Sequence, residues 1–166
     1  MKLIPMERTE PGPNQESVWD YPRPPALEDV SKHLKVEFNG EVIAETERGK
    51  RVLETSQPPA YYFPPEDVDD EFLQELNQFT YCEWKGHAYY FDVNMNGKIA
   101  RKSAWYYPDP NQKYEGIKDY VAFYPDALNC FVDGEKVQPQ EGTFYGGWIT
   151  SEIVGPFKGG PGTSGW

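Results

Sequence analysis

Apolar and polar positions alternate along several stretches of the chain with the two-residue period of a pleated strand. Leu34, Val36 and Phe38 alternate with Lys35 and Glu37, and Val42, Ile43 and Ala44 resume the apolar pattern after Asn39-Gly40. Asn-Gly accepts the positive φ angles of a two-residue turn, so residues 34–46 are predicted to form a hairpin. The same turn chemistry stands at Asn96-Gly97, ahead of Lys98-Ile99-Ala100, and at Asp133-Gly134, ahead of Glu135-Lys136-Val137. Unequal spacing of these turns excludes a solenoid or propeller repeat. β-Branched and aromatic residues predict further strands over 51–55, 61–63, 100–107 and 120–124, the last three stopped by Pro64, Pro108 and Pro125. Around Gly86, taken as a turn, residues 80–85 and 89–93 have the same character. In an extended 80–85 segment Thr80, Cys82 and Trp84 share one face, and Tyr81, Glu83 and Lys85 the other. Residues 109–118 read as polar loop. One segment, 66–76, carries a helical period: acids stand at its start, and Val68, Phe72, Leu73 and Leu76 fall on one face.

Composition sharpens this picture. Aromatic residues make up 16% of the chain, with 15 glycines and 16 prolines, a mixture that suits short strands and many turns. The expectation is a mainly β fold with one or two short helices. With 166 residues the chain is read as one folded unit, hiding roughly 70% of the surface its unfolded form exposes. Within it we expect a Pro-rich arm over 1–33, containing Pro5, Pro11, Pro13, Pro22, Pro24 and Pro25, that packs on the domain with Trp19 as anchor. A β domain follows over 34–140, and a Gly-rich C-terminal extension over 141–166 with Trp166 as its pin.

The formal net charge of -11 and the pI near 4.6 argue against nucleic acid or an anionic membrane as partner, since both require clustered Lys and Arg. No apolar run reaches spanning length, and the first residues stop short of a signal peptide, so a soluble cytoplasmic protein is expected, as a monomer or weak homo-oligomer. Two cysteines, Cys82 and Cys130, are too few for a disulfide framework or a four-thiolate zinc site. Both are read as reduced thiols. His33 and His87 could complete a metal site only if separate strands brought them to both thiols, and their spacing contains no paired ligand motif. No metal and no cofactor is expected.

Several strings stand together: Glu16-Ser17-Val18-Trp19-Asp20-Tyr21-Pro22-Arg23-Pro24-Pro25, Arg51-Val52-Leu53-Glu54-Thr55-Ser56, Pro58-Pro59 with Tyr61-Tyr62, Cys82-Glu83-Trp84-Lys85-Gly86, Ala104-Trp105-Tyr106-Tyr107-Pro108 and Val121-Ala122-Phe123-Tyr124-Pro125. With these the chain resembles the bacterial family catalogued as domain of unknown function 427, over most of residues 16–134. The resemblance implies a compact, antiparallel, two-sheet domain of a β-tent-like kind. A nucleotidyltransferase label is sometimes attached to that family. This chain has neither a Gly-Ser pair leading to a close Asp-x-Asp pair nor a phosphate-cradling Gly-x-x-x-x-Gly-Lys loop. Its acidic set, Glu66-Asp67 with Asp69-Asp70-Glu71, stands where a helix start favours acids.

Candidate chemistry centres on charges and aromatics. Arg51, Glu54 and Lys85 interrupt apolar strands, where a charge must be paired or else used. They are read either as an ion pair such as Glu54 with Lys85, or as part of a ligand site. Tyr61, Tyr62, Tyr89, Tyr90, Trp105 and Tyr107 offer more aromatic surface than a core of this size readily absorbs, so some are expected around a cavity. Cys82 is read either as buried thiol beside Trp84 or as nucleophile with His87 as base. The ligand-binding set expected is Arg51, Glu54, Tyr61, Tyr62, Cys82, Trp84, Lys85, Tyr89 and Trp105, around a small molecule in an aromatic-lined cleft. Two alternatives stay open: an enzyme at the same cleft, with no catalytic residue assigned, and a protein-interaction module with an exposed apolar patch.

Overall fold

All three two-residue turns form as their local chemistry requires. Asn39 and Gly40 take φ of 52° and 82°, Asn96 and Gly97 51° and 85°, and Asp133 and Gly134 48° and 82°. A β-carbon built on any of these three glycines meets nothing within 4 Å, so the left-handed backbone and not crowding is what calls for glycine. The computed structural model describes residues 7–142 and 144–166; the first six residues of the Pro-rich arm, Pro5 among them, lie outside the described residues.

In chain order the strands begin with β1 (Glu16–Ser17), β2 (Ala26–Val30), β3 (Leu34–Phe38), β4 (Glu41–Thr46), β5 (Gly49–Leu53) and β6 (Ala60–Tyr62). Next come β7 (Leu73–Cys82), β8 (Gly86–Met95), β9 (Lys98–Tyr106), β10 (Val121–Phe123), β11 (Asn129–Val132) and β12 (Glu135–Lys136). Three short strands close the chain: β13 (Gln138–Pro139), β14 (Trp148–Ile149) and β15 (Ile153–Val154). The main sheets run β10-β9-β8-β7, β12-β11-β3-β4 and β2-β5-β6, every neighbouring pair antiparallel. Phe63, just past β6, exchanges backbone hydrogen bonds of 2.8 and 2.9 Å with Val121 of β10, so the third sheet runs on into the first. The domain is mainly β, as expected.

Strand alternation decides what each face of this extended sheet buries. One face carries Tyr61, Phe63, Val93, Met95, Ala104 and Phe123 and packs on Leu34, Val36, Phe38 and Ile43 of the second sheet. Each fully buried side chain of this size contributes about 1.5–3 kcal/mol. The opposite face carries Val52, Tyr62, Tyr90, Trp105, Tyr107 and Tyr124, an aromatic layer that no second large sheet covers.

The helix expected over 66–76 does not form. Two single 3-10 turns, Pro65–Asp67 and Asp70–Phe72, lead directly into β7. Val68, Phe72 and Leu73 pack toward the first core and Leu76 toward the aromatic layer. A strand with apolar residues on both faces breaks the two-residue period and imitates a helical one, and pairing with β8 on either side of an irregularity between Glu75 and Phe79 decides the outcome. The 109–118 segment is likewise more than loop. Its 3-10 turns over Gln112–Ile117 bury Tyr114 and Ile117, and the Tyr114 hydroxyl donates to the Pro25 carbonyl at 2.7 Å.

The terminal segments meet each other. β1 pairs in parallel with β15, Trp19 Nε1 donates to the Pro156 carbonyl at 2.9 Å, and the Trp166 ring lies 5.2 Å from that of Trp19. No helix among the described residues is long and apolar enough to cross a membrane.

Candidate functional site

The β7–β8 hairpin places the first group of side chains. β7 ends at Cys82, which pairs with Gly86, so Glu83, Trp84 and Lys85 form the turn. Gly86 takes φ of +108°, and a β-carbon there would lie 3.3 Å from the Asp109 carbonyl oxygen; both features favour glycine. The neighbouring loop clamps the turn: Asn111 N donates to the Lys85 carbonyl at 2.9 Å and Asn111 Nδ2 to that of Trp84 at 2.6 Å. Because the chain turns at Glu83, extended-strand parity no longer applies beyond Cys82. Lys85, expected on the face opposite the thiol, instead lines the same cavity as Cys82.

That cavity, of about 310 Å³, lies on the aromatic layer. Its floor and one wall are Val52, Tyr90, Trp105, Tyr107 and Tyr124, with Glu54, Cys82, Trp84 and Lys85 at one side. The opposing wall is the C-terminal segment: Gln140, Phe144, Tyr145, Gly146, Gly147 and Lys158. Two glycines permit its close approach. A β-carbon on Gly146 would fall 2.4 Å from Trp105 Cη2, and one on Gly147 2.5 Å from Pro58 Cγ. Hydrogen bonds fix this wall: Tyr124 Oη donates to the Phe144 carbonyl at 2.9 Å, and Gln140 Nε2 to Gln57 Oε1 at 2.7 Å. The buried Trp148 anchors it, its Nε1 donating to the Phe123 carbonyl at 3.0 Å. Tyr90, Tyr124 and Phe144 also line a second recess of about 390 Å³, together with Arg101, Lys102 and Asp126.

Donors dominate the polar side of the cleft. Lys85 Nζ lies 5.6 Å from the Tyr107 ring centroid and, among the described residues, has no carboxylate within ion-pairing distance. Burial presses its ammonium toward the neutral form, but Tyr62, Cys82 and Glu54 together more than offset this, so the Lys85 pKa stands above the ordinary lysine value. Burial pushes the Tyr107 hydroxyl well above the usual phenol range, so it stays a donor at neutral pH. Behind them Tyr62 is fully buried, its ring edge-on to Trp105 at 6.1 Å and 6.4 Å from Tyr107, and its hydroxyl has no hydrogen-bond partner among the described residues. Of the carboxylates, Glu54 is engaged by Arg23 at 3.4 Å and Glu83 is exposed.

Of the residues expected at a ligand site, Glu54, Cys82, Trp84, Lys85 and Trp105 come together here, with Tyr62 directly behind. Arg51, Tyr61 and Tyr89 do not. Arg51 ties the N-terminal arm down, its guanidinium 2.6 Å from the Glu16 carboxylate and 2.9 Å from that of Glu28. Tyr61 faces the first core against Trp148, with ring centroids 5.1 Å apart. Tyr89 lies on the outer face with Phe79 and Tyr106. Strand alternation is the common reason: Arg51 and Tyr61 are cross-strand partners on one face, while their neighbours Val52 and Tyr62 occupy the other. Glu54 pairs with Arg23 and not with Lys85. Cys82 and His87 are on opposite faces, His87 stacking at 5.1 Å on the exposed Tyr81, so no thiol–imidazole pair forms. Among the described residues no three His, Cys, Asp or Glu side chains gather as a metal site. The C-terminal wall escaped the sequence reading; its one local signal is the Gly146-Gly147 pair ahead of Trp148.

The acidic set once weighed against a nucleotidyltransferase label serves the fold, at least at Asp67: its carboxylate accepts from Arg48 Nε at 3.0 Å and from the Thr46 hydroxyl at 2.7 Å. A family model described as Domain of unknown function (DUF427), labelled NTP_transf_9, matches residues 26–138. No curated protein matches the chain. The matched span holds the floor of the cleft and its Cys82–Lys85 side, whereas Gln140 to Lys158 lie beyond it. The chain belongs to the DUF427 family.

Proposed function

We propose that this protein binds a small molecule in the cleft between the aromatic layer and the C-terminal segment. One observation carries the reading: a recess of about 310 Å³ combines aromatic walls with a lysine that has no carboxylate within ion-pairing distance among the described residues. That volume falls at the lower end of small-molecule sites, about 300–1,000 Å³, which pair apolar walls with a few oriented polar groups. Solvated polar groups on a flat surface need no such enclosure. The reading takes the protein to work in the cytoplasm, as a monomer or weak homo-oligomer, with neither nucleic acid nor membrane as partner, in keeping with its charge of -11.

A set of neutral, acidic and basic aromatic fragments, screened by ligand-observed NMR and thermal shift, tests it. Hits are expected to be lost in Trp84→Ala, a half-buried turn residue, and kept in Arg51→Ala, which lies outside the cleft. Hits that survive Trp84→Ala, or the absence of any hit, would overturn the reading.

A further inference from the structure

We infer that the cleft selects planar aromatic ligands bearing an oxyanion, a carboxylate or a phosphate, and that Lys85 holds the charge. This inference rests on the cleft being a binding site. The first support is the imbalance of hydrogen-bonding groups. Lys85 offers three ammonium donors in a partly buried position, 5.6 Å from the centroid of the Tyr107 ring. The Tyr62 hydroxyl, in the aromatic layer beneath the cleft, is buried with no hydrogen-bond partner among the described residues. Tyr107 adds a third donor, protonated at neutral pH. An ammonium with no carboxylate within ion-pairing distance, beside the Tyr107 ring, is an arrangement that an oxyanion completes, since an ionised carboxylate or phosphate accepts only.

Charge distribution gives the second support. In a chain of net charge -11, Lys85 and Lys158 line the cleft and Lys102 the neighbouring recess, whose Arg101 is paired with Asp92 at 3.7 Å. Against these stand Glu54, already engaged by Arg23, the exposed Glu83, and Asp126 in the far recess. Lysines that stand over aromatic rings beside the cleft, in a chain otherwise rich in carboxylates, favour an anion there over a cation. Trp84 and Trp105, at the side and floor of the same space, supply flat faces for the ring to which the oxyanion is attached.

Matched probes separate charge from shape: 2-naphthoate, 2-naphthyl phosphate and the neutral 2-naphthamide, titrated against the full chain by quenching of tryptophan fluorescence. At least one of the two acids is expected to bind about tenfold or more tightly than the amide, because hydrogen bonds to a charged group are worth about 1.5–3 kcal/mol. Which acid prevails distinguishes a carboxylate site from a phosphate site. The preference should collapse in Lys85→Met, persist in Lys85→Arg and weaken in Tyr107→Phe. Since the ratio of acid to amide is read within each variant, a general loss of stability cancels; if Lys85→Met does not fold, the wild-type ratio and Tyr107→Phe still decide. An amide that binds as tightly as both acids, or a preference unchanged in Lys85→Met, overturns the inference. If neutral fragments bind while the acids do not, oxyanion selection alone falls; if nothing binds, the binding function falls with it.

Discussion

Replacing Tyr62 by Phe removes one oxygen atom and nothing else from the layer behind the cleft. That hydroxyl is fully buried and lacks a hydrogen-bond partner among the described residues, so the folded state carries its desolvation cost, about 1–3 kcal/mol for such a group. The ring stays, and with it the edge-on contact with Trp105 at 6.1 Å. Against the gain stands the void left by one oxygen, ~15 Å³, which at ~24 cal/mol per Å³ costs about 0.4 kcal/mol. The first quantity exceeds the second, so Tyr62→Phe is expected to be more stable by about 1–2 kcal/mol. For a chain of this size that corresponds to a rise in melting temperature of roughly 2–8 °C. Urea unfolding followed by tryptophan fluorescence reads it directly, as a higher midpoint at unchanged m. A variant less stable than wild type by 1 kcal/mol or more would refute the reasoning, for it would mean that the hydroxyl is satisfied in the free protein.

Gly146→Ala should cost about 1–3 kcal/mol by urea unfolding, since its β-carbon would stand 2.4 Å from Trp105 Cη2 and 3.2 Å from Tyr124 Cδ1; an unchanged midpoint would mean the C-terminal wall is not held against the aromatic layer. Arg51→Ala, which strands Glu16 and Glu28, should cost ~2 kcal/mol and speed proteolytic cleavage near residue 15 while leaving cleft affinity untouched; a loss of ligand affinity would contradict the placement of Arg51 outside the cleft. Hydrogen bonds from Arg48 and Thr46 hold the Asp67 carboxyl below the usual aspartate range, so its contribution is present above about pH 4 and lost as pH falls through its folded value. Asp67→Asn should therefore be less stable than wild type at pH 7, with the difference shrinking toward pH 2; a gap that widens on acidification would reverse the sign.

Features set by neighbouring residues could be read in the sequence, and features set by distant ones could not. Asn39-Gly40, Asn96-Gly97 and Asp133-Gly134 specify their turns because positive φ is a local demand. Cys82, Trp84 and Lys85 belong to one turn, and Trp105 to the strand that follows in the same sheet, so their convergence followed from short-range connectivity. Adjacent pairs were harder to assign. Alternation says that Tyr61 and Tyr62 face opposite ways, as do Arg51 and Val52, but which face is covered by a second sheet depends on packing with residues far along the chain. The Lys85 assignment failed on a smaller matter: a turn that begins at Glu83 resets the parity that extension to residue 85 would impose. Leu73 and Leu76 imitated a helix because they pack toward opposite faces of β7, Leu76 in the stretch between Glu75 and Phe79 where its pairing register shifts.

Family membership and the cleft divide the chain at nearly the same point, and that division bears on function. The matched residues end at 138, and the segment facing the cleft begins at Gln140. Trp105, Tyr107, Trp84 and Lys85 are therefore family-domain residues that would form an open aromatic surface by themselves, whereas enclosure depends on Phe144, Tyr145, Gly146 and Gly147. Enclosure matters energetically because a lysine on an open face is well solvated and its pairing with an anion is worth ~1 kcal/mol or less, while exclusion of water by a second wall strengthens the same pairing. The glycines make this possible at a cost in backbone entropy that a flexible tail would not incur, and the buried Trp148 and its bond to Phe123 offset that cost by fixing the segment immediately after them. In the proposed binding function the floor with Lys85 and the wall that faces it act together, and only the first lies within the span by which the family is identified.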